Sequence, residues 1–496
     1  MTPYQTLETR FRRLGALGEA AAMLNWDSAT LMPTGAAPAR ADQVATLKVL
    51  SHEILTAPDS GDLLDAADRQ NELGPWERAN LHEMRRRWLH ATAVPPDLIT
   101  ALTKACSASE MAWRQARPAN DFKAVLPHLH KVLDLVRGVA AAKAARLGKS
   151  PYEALLDEYE PDGSTAVIDA LFDELAGMLP GLIDRALARQ ASRPAPLLPE
   201  GRFPVEAQKQ VGIALMERLG FDFEHGRLDV SLHPFCGGTP DDVRITTRYD
   251  ETDFTRALMG VLHETGHALY ERGLPVQWRH QPVGDARGMS VHESQSLLME
   301  MQACRSREFL DFAAPLLREA FGGKGPAWEA DNLYRLYTKV ERSFIRVDAD
   351  EVTYPAHVIL RYRLEKALVS GDLALADLPG AWNDGMQQLI GVRPPSDREG
   401  CLQDIHWYDG AWGYFPTYTL GAMTAAQLFA AAKRADPTIL PAIAKGDFKP
   451  LLTWLRANVH GKGSLLSTTE LVRQATGAPL DARIYEEHLK RRYLGA

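Results

Sequence analysis

The 496 residues predict a predominantly α-helical protein carrying one small β-sheet. Three observations lead there. Through the first part of the chain Ala, Leu, Glu and Arg dominate, and EAAAMLNW, LHKVLDLVRGVAAAKAARL and AVIDALFDELAGML place apolar residues three and four apart, the period of a helix with one buried face. Between Arg227 and Asp250 the pattern shifts toward alternation in RLDVSLHPF and DVRITTRYD, which predicts strands. From Asp253 onward helical spacing returns, with no fixed repeat that would indicate a solenoid.

The elements follow in order. Pro and Gly punctuate the N-terminal helices. From Ala191 to Pro204 the segment ASRPAPLLPEGRFP excludes regular helix and predicts a connection. This divides the chain into residues 1–200 and 201–496, as two parts or one continuous domain. The two alternating stretches are predicted as a hairpin, with CGGTPD supplying the turn. FTRALMGVLHETGHALYER then predicts a helix capped by Thr252-Asp253 and stopped at Gly273 in a left-handed conformation. The sheet is thus expected beside this helix.

Composition narrows the function classes. Hydrophobic residues make up 45% of the chain, enough for a large core. With 56 basic and 64 acidic side chains the net charge is −8, which offers no footprint for nucleic acid or an anionic membrane. Glu8, Arg10, Arg12 and Arg13 interrupt the N-terminus before any apolar run forms, and no stretch is apolar enough to span a bilayer. A cytoplasmic address is expected. Cys106, Cys236, Cys304 and Cys401 are widely spaced and read as free thiols.

The chemistry concentrates in HETGH. On a helix His263 and His267 project from one side, so two imidazoles converge on one ion. Glu264 is offset by about 100° yet stays beside the ion, where its carboxylate takes a proton from attacking water that zinc has acidified toward a pKa of ~7. The five-residue pattern arises by chance on the order of once in a hundred chains this long. A third ligand is therefore needed, and VHESQSLLMEMQ on the next helix supplies Glu293. His292 points about 100° away and is not read as a ligand. Zinc is the expected metal, and cobalt accepts a similar ligand set.

With HPF at His233–Phe235, DVRIT at Asp242–Thr246, HETGH, HESQ at His292–Gln295, IRVDAD at Ile345–Asp350 and GCLQDIHW at Gly400–Trp407, the chain resembles the carboxypeptidase Taq family of zinc metallocarboxypeptidases. NWDSATLMP, Asn25–Pro33, resembles the family's opening segment, and no motif position departs from its pattern. The resemblance implies removal of single residues from peptides with a free C-terminus, broad side-chain tolerance and a homodimer. It also implies a helical fold with a deep central cleft, residues 1–200 forming one wall.

An exopeptidase must hold the terminal carboxylate, and arginine's planar fork suits that task. Arg346 is the first candidate and Arg244 the second. Each has a bland alternative: Arg346 lies in SFIRVDADEVTYPAHVILRY, read as one helix, with Asp348, Asp350 and Glu351 as ion-pair partners, while Arg244 sits near Asp241 and Asp242. His233 is either a hydrogen bonder to substrate or a satisfied loop histidine. An oxyanion needs donors, and QDIHWYDGAWGYFPTYTLGAM offers His406 with Tyr418, and Tyr414 in reserve. The family resemblance favours site roles over core packing for these rings. The same zinc machinery would also serve an oligopeptidase or dipeptidyl carboxypeptidase. A non-catalytic, metal-stabilised peptide-binding scaffold is the alternative from another class, disfavoured because closed structural zinc sites use four protein ligands.

Overall fold

Proline in the first turn and oxygen-bearing caps set where the helices begin, because neither wastes an amide that the helix could pair. The computed structural model describes residues 1–495. Eight helices come first: α1 (Pro3–Thr30), α2 (Ala37–Leu55), α3 (Ser60–Asp68), α4 (Pro75–Ala93), α5 (Pro96–Ala119), α6 (Phe122–Leu147), α7 (Pro151–Leu156) and α8 (Thr165–Ala191). After an irregular stretch come α9 (Val205–Leu219), β1 (Gly226–Val230), β2 (Cys236–Thr239), β3 (Asp242–Thr247), α10 (Phe254–Arg272) and α11 (Met289–Leu297). A π-helical turn, Leu298–Ala303, continues α11 directly. Then follow α12 (Arg307–Ala320), α13 (Ala330–Tyr337), α14 (Tyr354–Ser370), α15 (Leu378–Leu389), α16 (His406–Asp409), α17 (Pro416–Ala435), α18 (Ile439–Ile443), α19 (Lys449–Asn458), α20 (Thr468–Thr476) and α21 (Ala482–Leu489).

The helical expectation holds, and so does the irregular connection after Ala191. The sheet differs in its pairing. Its order is β1-β3-β2, and the expected hairpin partner β1 runs parallel to β3, with Leu228 opposite Ile245. The residues read as a turn form β2 instead, antiparallel to β3, with Cys236 opposite Ile245. Burial explains the order: β3 is central because Val243 and Ile245 pack with Leu228 onto Val261 of α10. The sheet therefore lies against α10, as expected.

Two further local readings are corrected. Gly273 ends α10 with a helical φ of −88°, not a left-handed one. Glycine is needed there for space, since a Cβ would come within 2.7 Å of His460 Cβ. Arg346 does not lie in a long helix: it opens a 3₁₀ turn, Arg346–Asp348, and α14 starts only at Tyr354. Asp350 breaks the periodicity because its carboxylate accepts from the Val352 and Thr353 amides at 2.9 and 3.1 Å, the local competition that keeps Asp out of helix interiors.

The main apolar core draws on both sides of residue 200, joining Leu133 and Leu175 to Leu258, Leu298 and Leu428. A smaller core, including Leu7, Phe11, Leu64 and Met84, binds α1, α3 and α4. Between α1 and α2 on one side and β2, α10 and the 273–288 connector on the other lies an open groove of about 640 Å³. Leu14, Glu19 and Leu55 line the first side, and Thr239, Glu271 and His292 the second. Among the described residues no helix is long and apolar enough to cross a membrane, and the four cysteines are free.

Candidate metal centre and active site

Asp253 caps α10, its side chain accepting from the Thr255 amide at 2.8 Å. The helix carries His263 and His267 one turn apart, and α11 brings Glu293 to both. Glu293 Oε2 lies 3.8 Å from His263 Nε2 and 3.4 Å from His267 Nε2. One ligand atom from each of the three residues falls within 4.8 Å of the others. The three side chains are thus brought together as expected.

Two glycines make this approach possible. A Cβ on Gly266, inside HETGH, would sit 2.5 Å from the Gln295 carbonyl oxygen. A Cβ on Gly421 of α17 would sit 3.0 Å from Glu293 Cβ. Helix α11, which carries Glu293, is therefore seated between α10 and α17 at close distance.

The donor set fits a divalent metal. His263 Nδ1 is 2.9 Å from Glu300 Oε2, so a neutral His263 donating there leaves its Nε2 lone pair facing Glu293, the arrangement that orients a ligating imidazole. Glu300 comes from the π-helical turn and also pairs with Arg305. Burial pushes His263 down, but Glu293, Glu300 and Glu264 outweigh it and raise its pKa to about 10 in the metal-free site. His267 is driven down to about 4, first by burial and then by His292. Among the described residues His267 Nδ1 is buried without a hydrogen-bond partner. The His292 ring stacks on His267 at 4.5 Å, while its Nε2 meets Glu271 Oε1 at 2.8 Å. His292 thus packs against His267 and is itself held by Glu271.

Glu264 is buried, and that burial raises its pKa to about 7, with His263 opposing and Glu293 adding. A carboxylate so poised takes up and returns a proton near neutral pH.

Over the other side of Glu293 stands an aromatic and cationic cluster. Tyr418 lies one turn before Gly421 on α17 and so shares its face. His406 Nε2 is 3.2 Å from the Tyr418 hydroxyl, and the Tyr414 ring packs on Tyr418 at 5.1 Å. Burial holds His406 at about 4 and pushes Tyr418 to about 12, so one is a neutral imidazole and the other a protonated phenol. Arg346 lies 4.8 Å over the Tyr418 ring.

Arg346 is 6% exposed. Its partner is none of the three acids near it in sequence. Nε and Nη2 both donate to Asp404 Oδ1, at 3.1 and 2.8 Å, while Arg361 takes Asp404 Oδ2 at 2.6 Å. Two guanidiniums share one carboxylate, which leaves an excess positive charge beside Tyr418. Arg244 lies apart from this cluster. It pairs with Asp242 at 2.9 and 2.6 Å and stacks 4.5 Å over Trp26 of the NWDSATLMP segment, while Asp241 goes to Arg272 and Arg279. His233 sits on the exposed β1–β2 loop, where its carbonyl accepts from Ser231 Oγ. Among the described residues its ring makes no hydrogen bond.

Glu300, Asp404 and Arg361 were not read from the sequence. Glu300 follows Glu293 by seven residues, two helical turns, a spacing that would have marked it. Asp404 stands inside GCLQDIHW, but its buried partners come from positions far away in the chain.

A family profile described as carboxypeptidase Taq (M32) metallopeptidase matches residues 6–493. Thermostable carboxypeptidase 1 of Thermus thermophilus is 39% identical, with 99% of each chain covered. Carboxypeptidase 1 of Bacillus subtilis is 33% identical over 97% of this chain and 96% of its own. Among solved structures, Trypanosoma cruzi metallocarboxypeptidase 1 superposes with a TM-score of 0.97 at 41% identity, covering 99% of both chains. The M32 carboxypeptidase from Deinococcus radiodurans R1 gives 0.93 at 37%, covering 99% of this chain and 98% of that one. This is a peptide-hydrolysing enzyme, not a binding scaffold, and the chain belongs to the carboxypeptidase Taq (M32) family of metallopeptidases.

Proposed function

We propose that the chain is a zinc carboxypeptidase removing single residues from peptide C-termini with broad side-chain tolerance, and that His263, His267 and Glu293 hold the zinc. The observation that carries the reading is the convergence of these three side chains within 4.8 Å, with Glu264 beside them. Two imidazoles and one carboxylate leave a position open, as catalytic zinc sites require, and cobalt would substitute. When bound, the ion supplies charge that polarises a carbonyl and acidifies water.

Glu264 takes the proton from the attacking water and delivers it to the leaving amine. The Tyr418 hydroxyl donates to the developing oxyanion, with His406 Nε2 beside it and Tyr414 buttressing the pair. Arg346 anchors the terminal carboxylate, supported by the excess charge around Asp404. Arg244 and His233 line the approach on the sheet side, with Arg244 the second choice of anchor. Residues 1–200 form one cleft wall, the groove between α1, α2 and β2 taking the upstream peptide. The family resemblance supports a homodimer, and the four free cysteines suit a reducing, cytoplasmic address.

The test follows a blocked peptide with a free C-terminus, and its C-terminal amide, by mass spectrometry, with and without a chelator and zinc restoration. Stepwise loss of single residues from the acid alone, stopped by chelation, supports the reading. Dipeptide or internal products would move it to an oligopeptidase, and equal cleavage of the amide would remove the carboxylate anchor.

A further inference from the structure

Glu365 is a fully buried carboxylate on α14 for which no basic side chain serves as ion-pair partner among the described residues. Burying a charge in this way is costly unless hydrogen bonds replace water. Three do: it accepts from Tyr152 Oη at 2.8 Å, from Trp407 Nε1 at 2.7 Å and from the Gly413 amide. Two of the three donors belong to one loop. Trp407 follows His406 directly, and Gly413 directly precedes Tyr414.

Arg361 lies one turn before Glu365 on the same face of α14 and holds Asp404, two residues before His406. The helix therefore grips the loop at Asp404, Trp407 and Gly413, with a cation for the acid and an acid for the two N–H groups. A purely apolar contact would fill this space without the cost of a buried charge. Hydrogen bonds add direction, which packing lacks. Burial raises Glu365 to about 7 against the pull of its three donors, as expected where no cation compensates.

We propose that Glu365 is a positioning residue for the peptidase reaction: through Trp407 and Gly413 it fixes the loop that holds His406 beside the Tyr418 hydroxyl and seats Tyr414 against that pair. The inference rests on the site role given to His406 above. Replacing Glu365 by Gln keeps the shape but turns one acceptor oxygen into a donor. With Trp407 Nε1 on one oxygen and the Gly413 amide on the other, an N–H must then face an N–H in either orientation of the amide.

The test compares the zinc-loaded wild type with Glu365→Gln, Trp407→Phe, their combination and His406→Phe, measuring kcat, KM, metal stoichiometry and Tm. Glu365→Gln is expected to lower kcat by about 10- to 100-fold, the cost of a small misplacement, with KM and bound metal unchanged. Adding Trp407→Phe removes one of the facing N–H groups, so the double variant should recover part of the loss relative to Glu365→Gln. If His406→Phe is impaired while folded Glu365→Gln turns over normally, the positioning role is overturned. Metal loss in step with kcat would overturn it equally. If His406→Phe is itself unimpaired, it is the oxyanion assignment that fails. Should Glu365→Gln not fold, Trp407→Phe alone carries the test, with a smaller kcat loss expected because the Gly413 amide keeps its acceptor, and an unchanged kcat overturning the role.

Discussion

Gly266 and Gln295 meet backbone to side-chain position: a methyl group on the first would stand 2.5 Å from the carbonyl oxygen of the second. Alanine inside a helix would ordinarily gain up to about 1 kcal/mol over glycine. Here the obstacle is main chain, which cannot swing aside, so overpacking at about 1–3 kcal/mol wins. Gly266→Ala should lower the urea midpoint and weaken metal binding together, because the displaced helix carries Glu293. A gain in stability with unchanged metal affinity would refute the close-packing account.

Glu300→Gln tests the support of His263. The amide keeps one acceptor oxygen where the carboxylate gave one to His263 and one to Arg305, so one of the two then faces an N–H, and the negative charge is lost. Metal affinity should fall by about 10- to 100-fold, the usual effect of removing such support. Competition against a chelator measures it, and an unchanged dissociation constant would show that the contact does not orient the ligand.

Glu264→Gln separates chemistry from metal holding. Turnover should be abolished while zinc content stays close to one per chain, since Glu264 is beside the proposed ligands His263, His267 and Glu293 but not among them. Equal loss of zinc would make Glu264 a structural residue.

Asp404 makes a pH prediction. Burial alone would raise its carboxyl, but Arg346 and then Arg361 hold it well below the usual carboxylate range. A depressed carboxyl stabilises the fold above its unfolded pKa of about 4 and loses that contribution as pH falls below it. Urea unfolding of the metal-free protein should show stability declining below about pH 4. Asp404→Asn should cost about 3–5 kcal/mol at neutral pH, by stranding two buried guanidiniums, and should flatten the acid decline. An acid limb as steep as that of the wild type would assign the loss to other carboxylates.

What could be read from sequence alone divides along physical lines. The convergence of His263 and His267 was legible because four-residue spacing is local, and that of Glu293 because it follows on the next helix. His406 came from a motif and Tyr418 from the donor-rich segment after it, not from spacing, since the eleven residues between them bend from α16 into α17 along a path that no periodicity reveals. The hairpin was misassigned because alternation marks strands without saying which edge each one joins. Arg346 was given the wrong partners because nearby acids are visible in sequence while Asp404, placed by the fold, is not. Glu365 was passed over for the same reason: a glutamate in a helical run looks solvated until its three distant donors are in place.

The connector between α10 and α11 is held from the far side of the groove. Arg287 is 2% exposed and binds Glu83 of α4 at 2.6 Å, Asn80 and Gln281 are joined at 2.9 Å, and His280 meets Glu19 of α1 at 3.0 Å. Helices α1 and α4 thus brace the connector, and with it the spacing of His267 and Glu293, from some two hundred positions upstream. Removing residues 1–200 would strand the Arg287 charge and slacken the spacing of His267 and Glu293, so the half that carries these side chains owes its rigidity to a partner it cannot shed.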